Sequence, residues 1–411
     1  MSKFLKTYGS TIALFTGIIT GIVCGITLKD SVMVVKPVGD IFLNLLFTLV
    51  VPLVFFSISS SFCKMRKSGI AGKVFAVTAV VFILMLLAAS IITYFSCLIY
   101  NPLGDPSTAP AAGSLASSAL SEKSTGQAVV DSLSVSDFTL LFSKSNLLPL
   151  IIFSILLGIA TSLCGAAGDK FAAFLDAGNE VVMKVVDLVM YVAPVGLGCY
   201  IACTIASVGE GLIEGYIRCV ILYLALTVVF FFIIQPLYVL VFGGIKTFKA
   251  YWANILPPSI TALATGFSAI TIPGNIVVAK KMGVRSEIAE GIVPLGINIH
   301  KDGSAISCLI KVVFLMGLFG LPITGMGAAV KIIGIALVAS IVMGAVPGGG
   351  ATGELLVCAL LGVDPSMAGI IIIIGALIDM PATMINSSCN VAAVYLVDKF
   401  CKRENSHPQK V

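Results

Sequence analysis

Long apolar stretches dominate this chain of 411 residues and limit what it can fold into. A helix that crosses a bilayer needs about 20 consecutive, mostly apolar residues. Only 11% of the residues are charged, whereas soluble proteins average about 25%. This composition excludes a water-soluble enzyme, a nucleic-acid-binding protein and a disordered module, despite the net charge of +5. We therefore predict an all-α, polytopic protein embedded in the lipid bilayer. Its eight predicted spans cover residues 11–28, 37–63, 75–100, 148–165, 175–206, 215–243, 286–318 and 366–398.

Two further hydrophobic stretches, 252–278 and 325–362, are broken in the middle by Gly, Pro, Ser and Thr. The breaks run from Thr265 to Gly274 and from Pro347 to Glu354. Bare backbone at membrane depth is tolerated only where protein or a water-filled cavity satisfies its polar groups. We therefore predict two re-entrant helical hairpins whose tips meet at a binding site.

The distribution of Lys and Arg sets the predicted topology, because cytoplasmic loops carry the excess of these residues. Basic clusters follow spans two, four, six and eight and the first hairpin, which puts both termini in the cytoplasm. The hairpins then enter from opposite sides as inverted repeats, an arrangement typical of secondary transporters. We predict that residues 1–250 form mainly a scaffold with some core-supporting helices, that 251–403 form the core transport region, and that 404–411 are a cytoplasmic tail. Residues 102–137 are predicted to form an external loop of low order.

Four polar residues of the last span lie on one helix face, because their spacing is four, three and four residues. Polar side chains also link helices in membranes, which is the structural alternative. An ionisable residue inside a span is costly and is treated as a functional candidate, so the carboxylate favours a binding face. The four residues are Asp379, Thr383, Asn386 and Asn390.

The seventh span contains His300, Lys301 and Asp302 between apolar flanks. An ammonium there needs a carboxylate partner, so we expect Lys301 to pair with Asp302 or Asp379; a purely structural ion pair is the alternative. Gly303 is the predicted point of unwinding. Glu354 is a further candidate carboxylate, or else it faces the external vestibule.

The sequence predicts no cofactor, no metal centre and no catalytic site. No pair among the eleven cysteines has zinc-ligand or disulfide spacing, and the chain has only two histidines. Lys311 and Lys331 are expected toward helix ends. No phosphate-binding Gly-x-x-x-x-Gly-Lys-Ser/Thr motif is present, so nothing indicates that ATP drives this chain.

These features together resemble the dicarboxylate/amino acid:cation symporter family, the group of glutamate-transporter homologues. The match covers essentially the whole chain, and its specific part runs from Thr265 to Asn390. Members of the family are homotrimers in which each protomer moves its core against a fixed scaffold, an elevator motion. The resemblance implies the same fold, a homotrimer, an amino-acid substrate and a location in a prokaryotic cell membrane.

Site residues follow from the resemblance, position by position. The Asp-Gly-Ser at 302–304 matches the Asp-Gly-Thr of the family's Asn-Met-Asp-Gly-Thr motif. Asp379 matches the aspartate that holds the substrate's amino group. The positions implied to contact substrate are Ser268, Ala269, Ser304, Gly350, Asp379, Ala382, Thr383 and Asn386.

Departures from the family pattern change the expected substrate and coupling. Acidic-substrate members have an arginine where this chain has Ala382, and some carry one at the position of Gly266. Without a guanidinium a second carboxylate lacks its bidentate partner, so we expect a neutral amino acid. The Asn-Met before Asp-Gly is replaced by His300 and Lys301, and the expected carboxylate of the last span by Asn390.

We therefore predict a sodium-independent transporter, either proton-coupled or exchanging, in which Lys301 replaces a bound cation. One alternative is a sodium symporter of a neutral amino acid or a dicarboxylate. An anion-conducting channel is the alternative from another class, and an intramembrane enzyme is remote because no nucleophile–base pair appears. The residues predicted to couple transport to a cation or a proton are His300, Lys301, Asp302, Glu354 and Asn390.

Overall fold

A computed structural model of the chain describes residues 3–67, 72–104, 134–143, 146–208, 211–343, 350–363 and 367–403. Within these ranges the chain is helical and contains no strand. Most of the predicted external loop, the centre of the second hairpin and the tail lie outside the described residues. In chain order the helices are α1 (Lys3–Leu28), α2 (Lys36–Lys67), α3 (Gly72–Ile99), α4 (Leu147–Leu163), α5 (Gly165–Met190), α6 (Ala193–Val208), α7 (Gly211–Val229), α8 (Gln235–Thr265), α9 (Ile272–Lys281), α10 (Ser286–Ile299), α11 (Asp302–Leu318), α12 (Met326–Val342), α13 (Gly350–Leu361) and α14 (Ala368–Arg403).

The outer surface of the helices is apolar, as expected where lipid replaces water. On α3, Ile83, Leu84 and Phe95 are more than half exposed. Three segments of the described chain are long and apolar enough to cross a membrane, namely Lys73–Ile99, Ile213–Thr265 and Ala368–Cys401. The chain is therefore an integral membrane protein, whereas the number of eight spans stays a prediction.

Helix α14 is the centre of the fold and packs against α3, α8, α11 and α13. Helices α1 and α2 pack instead against α4, α5 and α6. On α1, a Cβ added at Gly17, Gly21 or Gly25 would overlap a backbone carbonyl of α6. Small residues of this kind let two membrane helices approach closely, and the close approach supplies their packing energy.

The predicted span at 175–206 is wrong as a single helix. The structure has α5 ending at Met190 and α6 beginning at Ala193, with a turn at residues 191–192. Pro194 explains the break, because a proline in the first turn of a helix is tolerated but cannot continue a preceding one.

Gly244 separates the predicted sixth span from the first arm of the first hairpin, although α8 runs through both. Its φ of 71° and ψ of 179° lie outside the helical region. Only glycine adopts such a conformation readily. The chain therefore turns at the Gly243–Gly244 pair without needing a loop.

Each predicted hairpin corresponds to two helices that pack against each other. The first consists of α8 and α9, and the second of α12 and α13. Helix α8 ends at Thr265 and is capped by Gly266, whose φ is 62°, and a 3₁₀ turn over Ser268–Thr271 leads into α9. In the second hairpin, residues 347–349 of the predicted break lie outside the described residues.

Candidate functional site

The seventh span is broken at His300 and Lys301, which have extended or irregular backbone conformations between α10 and α11. The prediction that unwinding occurs at Gly303 is wrong, because Gly303 lies inside α11. Its lack of a side chain serves packing instead: a Cβ there would lie 2.5 Å from the carbonyl oxygen of Ala382. Asp302 begins α11, where the helix dipole favours a carboxylate.

A cavity with roughly 540 Å³ of empty space, partly open to solvent, lies where the helix breaks face α14. The tip of the first hairpin, the break and second half of the seventh span, and the end of α12 contribute to its wall. The predicted site residues that line it are Ser268, Lys301, Ser304, Asp379, Ala382, Thr383 and Asn386. The sequence therefore identified most of this cavity's polar wall.

The remaining predicted residues lie outside the lining. Ala269 is half-buried in the 3₁₀ turn after Ser268, and Gly350 is the first residue of α13. Asn390 lies one turn beyond the cavity on α14 and donates to the carbonyl oxygen of Val293 at 2.8 Å. A Cβ at Gly296 would overlap the Asn390 side chain, so this amide packs tightly between α10 and α14.

Asn386 connects α14 to the beginning of α11 on the floor of the cavity. Its Oδ1 accepts from the backbone N–H of Ser304 at 3.1 Å, and its Nδ2 donates to Ser304 Oγ at 3.1 Å. The first hairpin is fixed to α14 in a similar way. Thr271 Oγ1 lies 2.7 Å from Ser387 Oγ, and Asn275 Nδ2 donates to the same oxygen at 2.9 Å.

Lys301 extends from the helix break toward the end of α12. Its Nζ donates to the carbonyl oxygen of Met343 at 3.3 Å. The predicted ion pair with Asp302 or Asp379 is absent from the described contacts. Asp302 instead faces His300, because the break turns the two neighbouring side chains apart, and Asp379 shares the cavity with Lys301 without touching it.

Asp379 is the carboxylate that faces the open part of the cavity. Among the residues that the structure describes, it has no hydrogen bond or ion pair. Gly266 of the first hairpin lies beside it, and an added Cβ there would lie 3.7 Å from Asp379 Oδ2. The absence of a side chain there leaves room for a ligand beside the carboxylate.

Lys311 is a site residue that the sequence analysis placed wrongly at a helix end. It lies within α11, is 1% exposed, lines the cavity and forms an ion pair with Glu354 of α13. Gly375 of α14 makes space for the pair, because a Cβ there would lie 2.7 Å from Glu354 Oε1 and 3.0 Å from Lys311 Nζ. Glu354 is thus a buried partner of Lys311 and not a vestibule residue.

We expect Lys311→Met and Glu354→Gln each to lower thermal stability, because either change leaves one buried charge unpaired. Breaking such a pair costs about 3–5 kcal/mol. The double variant should recover most of the loss, because it removes both charges. The melting temperature of the purified protein measures the effect.

A matched control for this cycle is the ion pair of Lys280 with Glu290, whose side chains are 37% and 59% exposed. The same substitutions there should change stability by about 1 kcal/mol or less. Equal melting temperatures for the buried single variants and the wild type would contradict the role given to the Lys311–Glu354 pair.

A second group lies behind the cavity and joins two predicted coupling residues, His300 and Asp302, to Cys389, which the sequence analysis missed. His300 Nε2 is 3.3 Å from Asp302 Oδ1, and Cys389 Sγ of α14 is 3.7 Å from His300 Nδ1. All three residues are at most 1% exposed. The Cys389 position carried no sequence signal, because a lone cysteine in an apolar helix ordinarily acts as a small hydrophobe.

A helical membrane protein with a polar cavity at the meeting point of interrupted helices has the form of a membrane transporter. The model of the sodium:dicarboxylate symporter family matches residues 11–400. The chain therefore belongs to the sodium:dicarboxylate symporter family, and it is a transport protein rather than an enzyme.

Several curated relatives match this chain over most of its length. The proton/sodium-glutamate symport protein of Bacillus subtilis (strain 168) is 26% identical over 403 residues, which is 96% of this chain and 93% of the relative. The serine/threonine transporter SstT of Campylobacter jejuni (strain 81-176) is 25% identical, covering 97% of this chain and 98% of the relative. A C4-dicarboxylate transport protein of B. subtilis is 25% identical, covering 80% and 78%.

Proposed function

We propose that this protein is a secondary active transporter of neutral amino acids. The observation that carries the proposal is Asp379, a carboxylate that faces the cavity without a hydrogen bond or ion pair among the described residues. A carboxylate in that setting is suited to bind the ammonium group of an amino acid. Ser304 and Asn386 supply polar contacts for the rest of the substrate backbone.

The proposed preference for a neutral side chain rests on the cations of the cavity. Its described lining contains no arginine, and Lys311 is already neutralised by Glu354. A second substrate carboxylate would thus lack a guanidinium to bind it. The name of the Campylobacter relative, a serine/threonine transporter, agrees with a small neutral substrate.

We further propose that Lys301 takes the place of a bound cation, which makes transport independent of sodium. Its ammonium donates to a backbone carbonyl at the end of α12, and carbonyl oxygens are the kind of ligand that a hard cation uses. The Lys301 side chain thereby holds a covalently attached positive charge at a position where relatives named as sodium symporters would need a bound sodium ion. Homotrimeric assembly and an elevator motion complete the proposal and rest on the family.

Charge balance in the core favours one more positive charge. The core contains two lysines, Lys301 and Lys311, and three carboxylates, which are Asp302, Glu354 and Asp379. A zwitterionic substrate adds no net charge, and carrying an unbalanced charge through a membrane is costly. A transported proton would supply the charge. If a resident cation supplies it instead, the protein operates as an exchanger.

Uptake into liposomes that contain the purified protein tests sodium independence. We expect the initial rate for serine, threonine or alanine to be equal in sodium, potassium and choline buffers. An inwardly directed proton gradient should raise the rate of a proton-coupled carrier, whereas an exchanger should respond only to unlabelled amino acid inside. Uptake that requires sodium would contradict the proposal.

A sodium symporter of dicarboxylates is the second candidate, and one observation favours it. Lys301 has a carbonyl partner but no described carboxylate partner, so its ammonium is open to a carboxylate of a substrate. Uptake of labelled succinate and of labelled serine separates the two candidates. Sodium-dependent uptake of succinate without uptake of serine would favour this one.

A further inference from the structure

Three metal-binding residue types meet behind the cavity, outside its lining. His300 comes from the break between α10 and α11, Asp302 from the start of α11, and Cys389 from α14. One donor atom from each residue lies within 4.8 Å of the other two. The residues are 0%, 1% and 0% exposed, so the cluster is a buried and preformed set of nitrogen, oxygen and sulfur donors.

Several polar atoms of this cluster lack hydrogen bonds. His300 Nε2 and both carboxylate oxygens of Asp302 are buried without a hydrogen bond, and Nε2 and Oδ1 contact each other only as an ion pair at 3.3 Å. Buried polar atoms are paired in the great majority of cases, and an orphaned carboxylate is especially costly. A ligand bound among these atoms would satisfy them together.

The aromatic ring of Phe82 holds the histidine in position. Its centroid lies 4.6 Å from that of the His300 ring, and the two rings are stacked. Phe82 belongs to α3 and is itself buried. The histidine is therefore fixed by packing from one face while its nitrogen atoms face the carboxylate and the thiol, as expected of a preorganised ligand.

The mixture of donors determines which ion would fit. Hard cations such as sodium prefer oxygen ligands, whereas imidazole and thiolate favour zinc and its neighbours in the transition series. We propose that His300, Asp302 and Cys389 bind one divalent transition-metal ion of the zinc class. Bonds of about 2.0–2.3 Å require donors roughly 3.5 Å apart, so side-chain shifts of about 1 Å close the site. The fourth position is left for a backbone carbonyl or water.

Charge and proton balance agree with such an ion. Binding converts the Cys389 thiol to a thiolate, breaks its S–H bond, forms a sulfur–metal bond and releases one proton to solvent. A doubly charged ion together with this thiolate adds one net positive charge to the core. That is the charge needed to balance two lysines against three carboxylates. The proposal does not depend on which substrate the cavity carries.

Cobalt binding by the purified full-length protein tests the site, because cobalt replaces zinc and reports its ligands by colour. After removal of metal with a chelator, we expect one Co²⁺ per chain with a thiolate-to-cobalt absorption band, displaced by Zn²⁺ but not by excess NaCl. Cys389→Ser should abolish the band and weaken binding by about 100-fold or more. Asp302→Asn should weaken binding while it retains the band at high cobalt.

Cys308→Ser is the matched control, because Cys308 is equally buried in α11 but contacts Met343 Sδ and not the cluster. It should bind cobalt like the wild type. Melting temperatures without metal identify any variant that fails to fold. Wild-type protein that binds no cobalt or zinc, or equal losses in Cys308→Ser and Cys389→Ser, would overturn the proposal. Neither result involves transport, so the proposed function would be unaffected.

Discussion

Asp379→Ala is expected to lower the affinity for the amino-acid substrate by at least about 100-fold. The carboxylate faces the cavity and has no hydrogen bond or ion pair among the described residues, so the ammonium of the substrate would be the charge that contacts it. Truncating one partner of a buried charge pair costs about 3 kcal/mol, which corresponds to roughly 100-fold in affinity. Equilibrium binding of labelled amino acid to purified protein measures the change.

Two further variants make this result specific to the charge of Asp379. Asp379→Asn keeps the shape of the side chain and should lose nearly as much affinity as alanine. Asp40→Asn alters a half-buried carboxylate of α2 outside the cavity lining and should bind like the wild type. Full affinity in Asp379→Asn would show that another group anchors the substrate.

Lys301→Met is expected to reduce uptake in sodium-free buffer by about tenfold or more. The substitution removes the ammonium that donates to the Met343 carbonyl at 3.3 Å. A hydrogen bond from a charged group contributes about 1.5–3 kcal/mol, equivalent to a tenfold to hundredfold change. The core also loses one of its two cavity lysines, so added sodium should restore part of the rate.

Lys301→Arg and Lys331→Met provide the comparison for this experiment. The first keeps a positive charge at the helix break and should retain more sodium-free uptake than methionine. The second removes an exposed lysine of α12 and should have wild-type uptake. A Lys301→Met protein with unchanged sodium-free uptake would assign Lys301 to structure alone.

The helices of this protein could be predicted well where a single apolar run forms a single helix. The break in α8 lies at Gly244 and its left-handed cap at Gly266. Both positions are glycines, the residue type that marks such backbone changes in a sequence. The predicted span at 175–206 failed because its hydrophobicity continues through the turn at residues 191–192. Hydrophobicity reports burial in lipid or protein, but a change of helix direction depends on local sterics such as those of Pro194.

The face of α14 that lines the cavity was predictable because helical periodicity alone brings Asp379, Thr383 and Asn386 to one side. The partner of Lys311 was not, because Glu354 lies 43 residues away and only the fold of the second hairpin brings it near. Cys389 was missed for the same reason. Cys389 contacts His300 only because the fold brings α14 beside the helix break, and no spacing pattern in the sequence predicts that contact.

Ligand-induced stabilisation of the purified protein, measured with and without sodium, tests most directly whether Lys301 replaces a cation. A ligand that binds only the folded state raises the melting temperature according to its affinity. We predict that a neutral amino acid raises the melting temperature equally in sodium chloride and in choline chloride, and that Lys301→Met loses the rise in choline. A rise that occurs in sodium and is missing in choline for the wild-type protein would contradict the account.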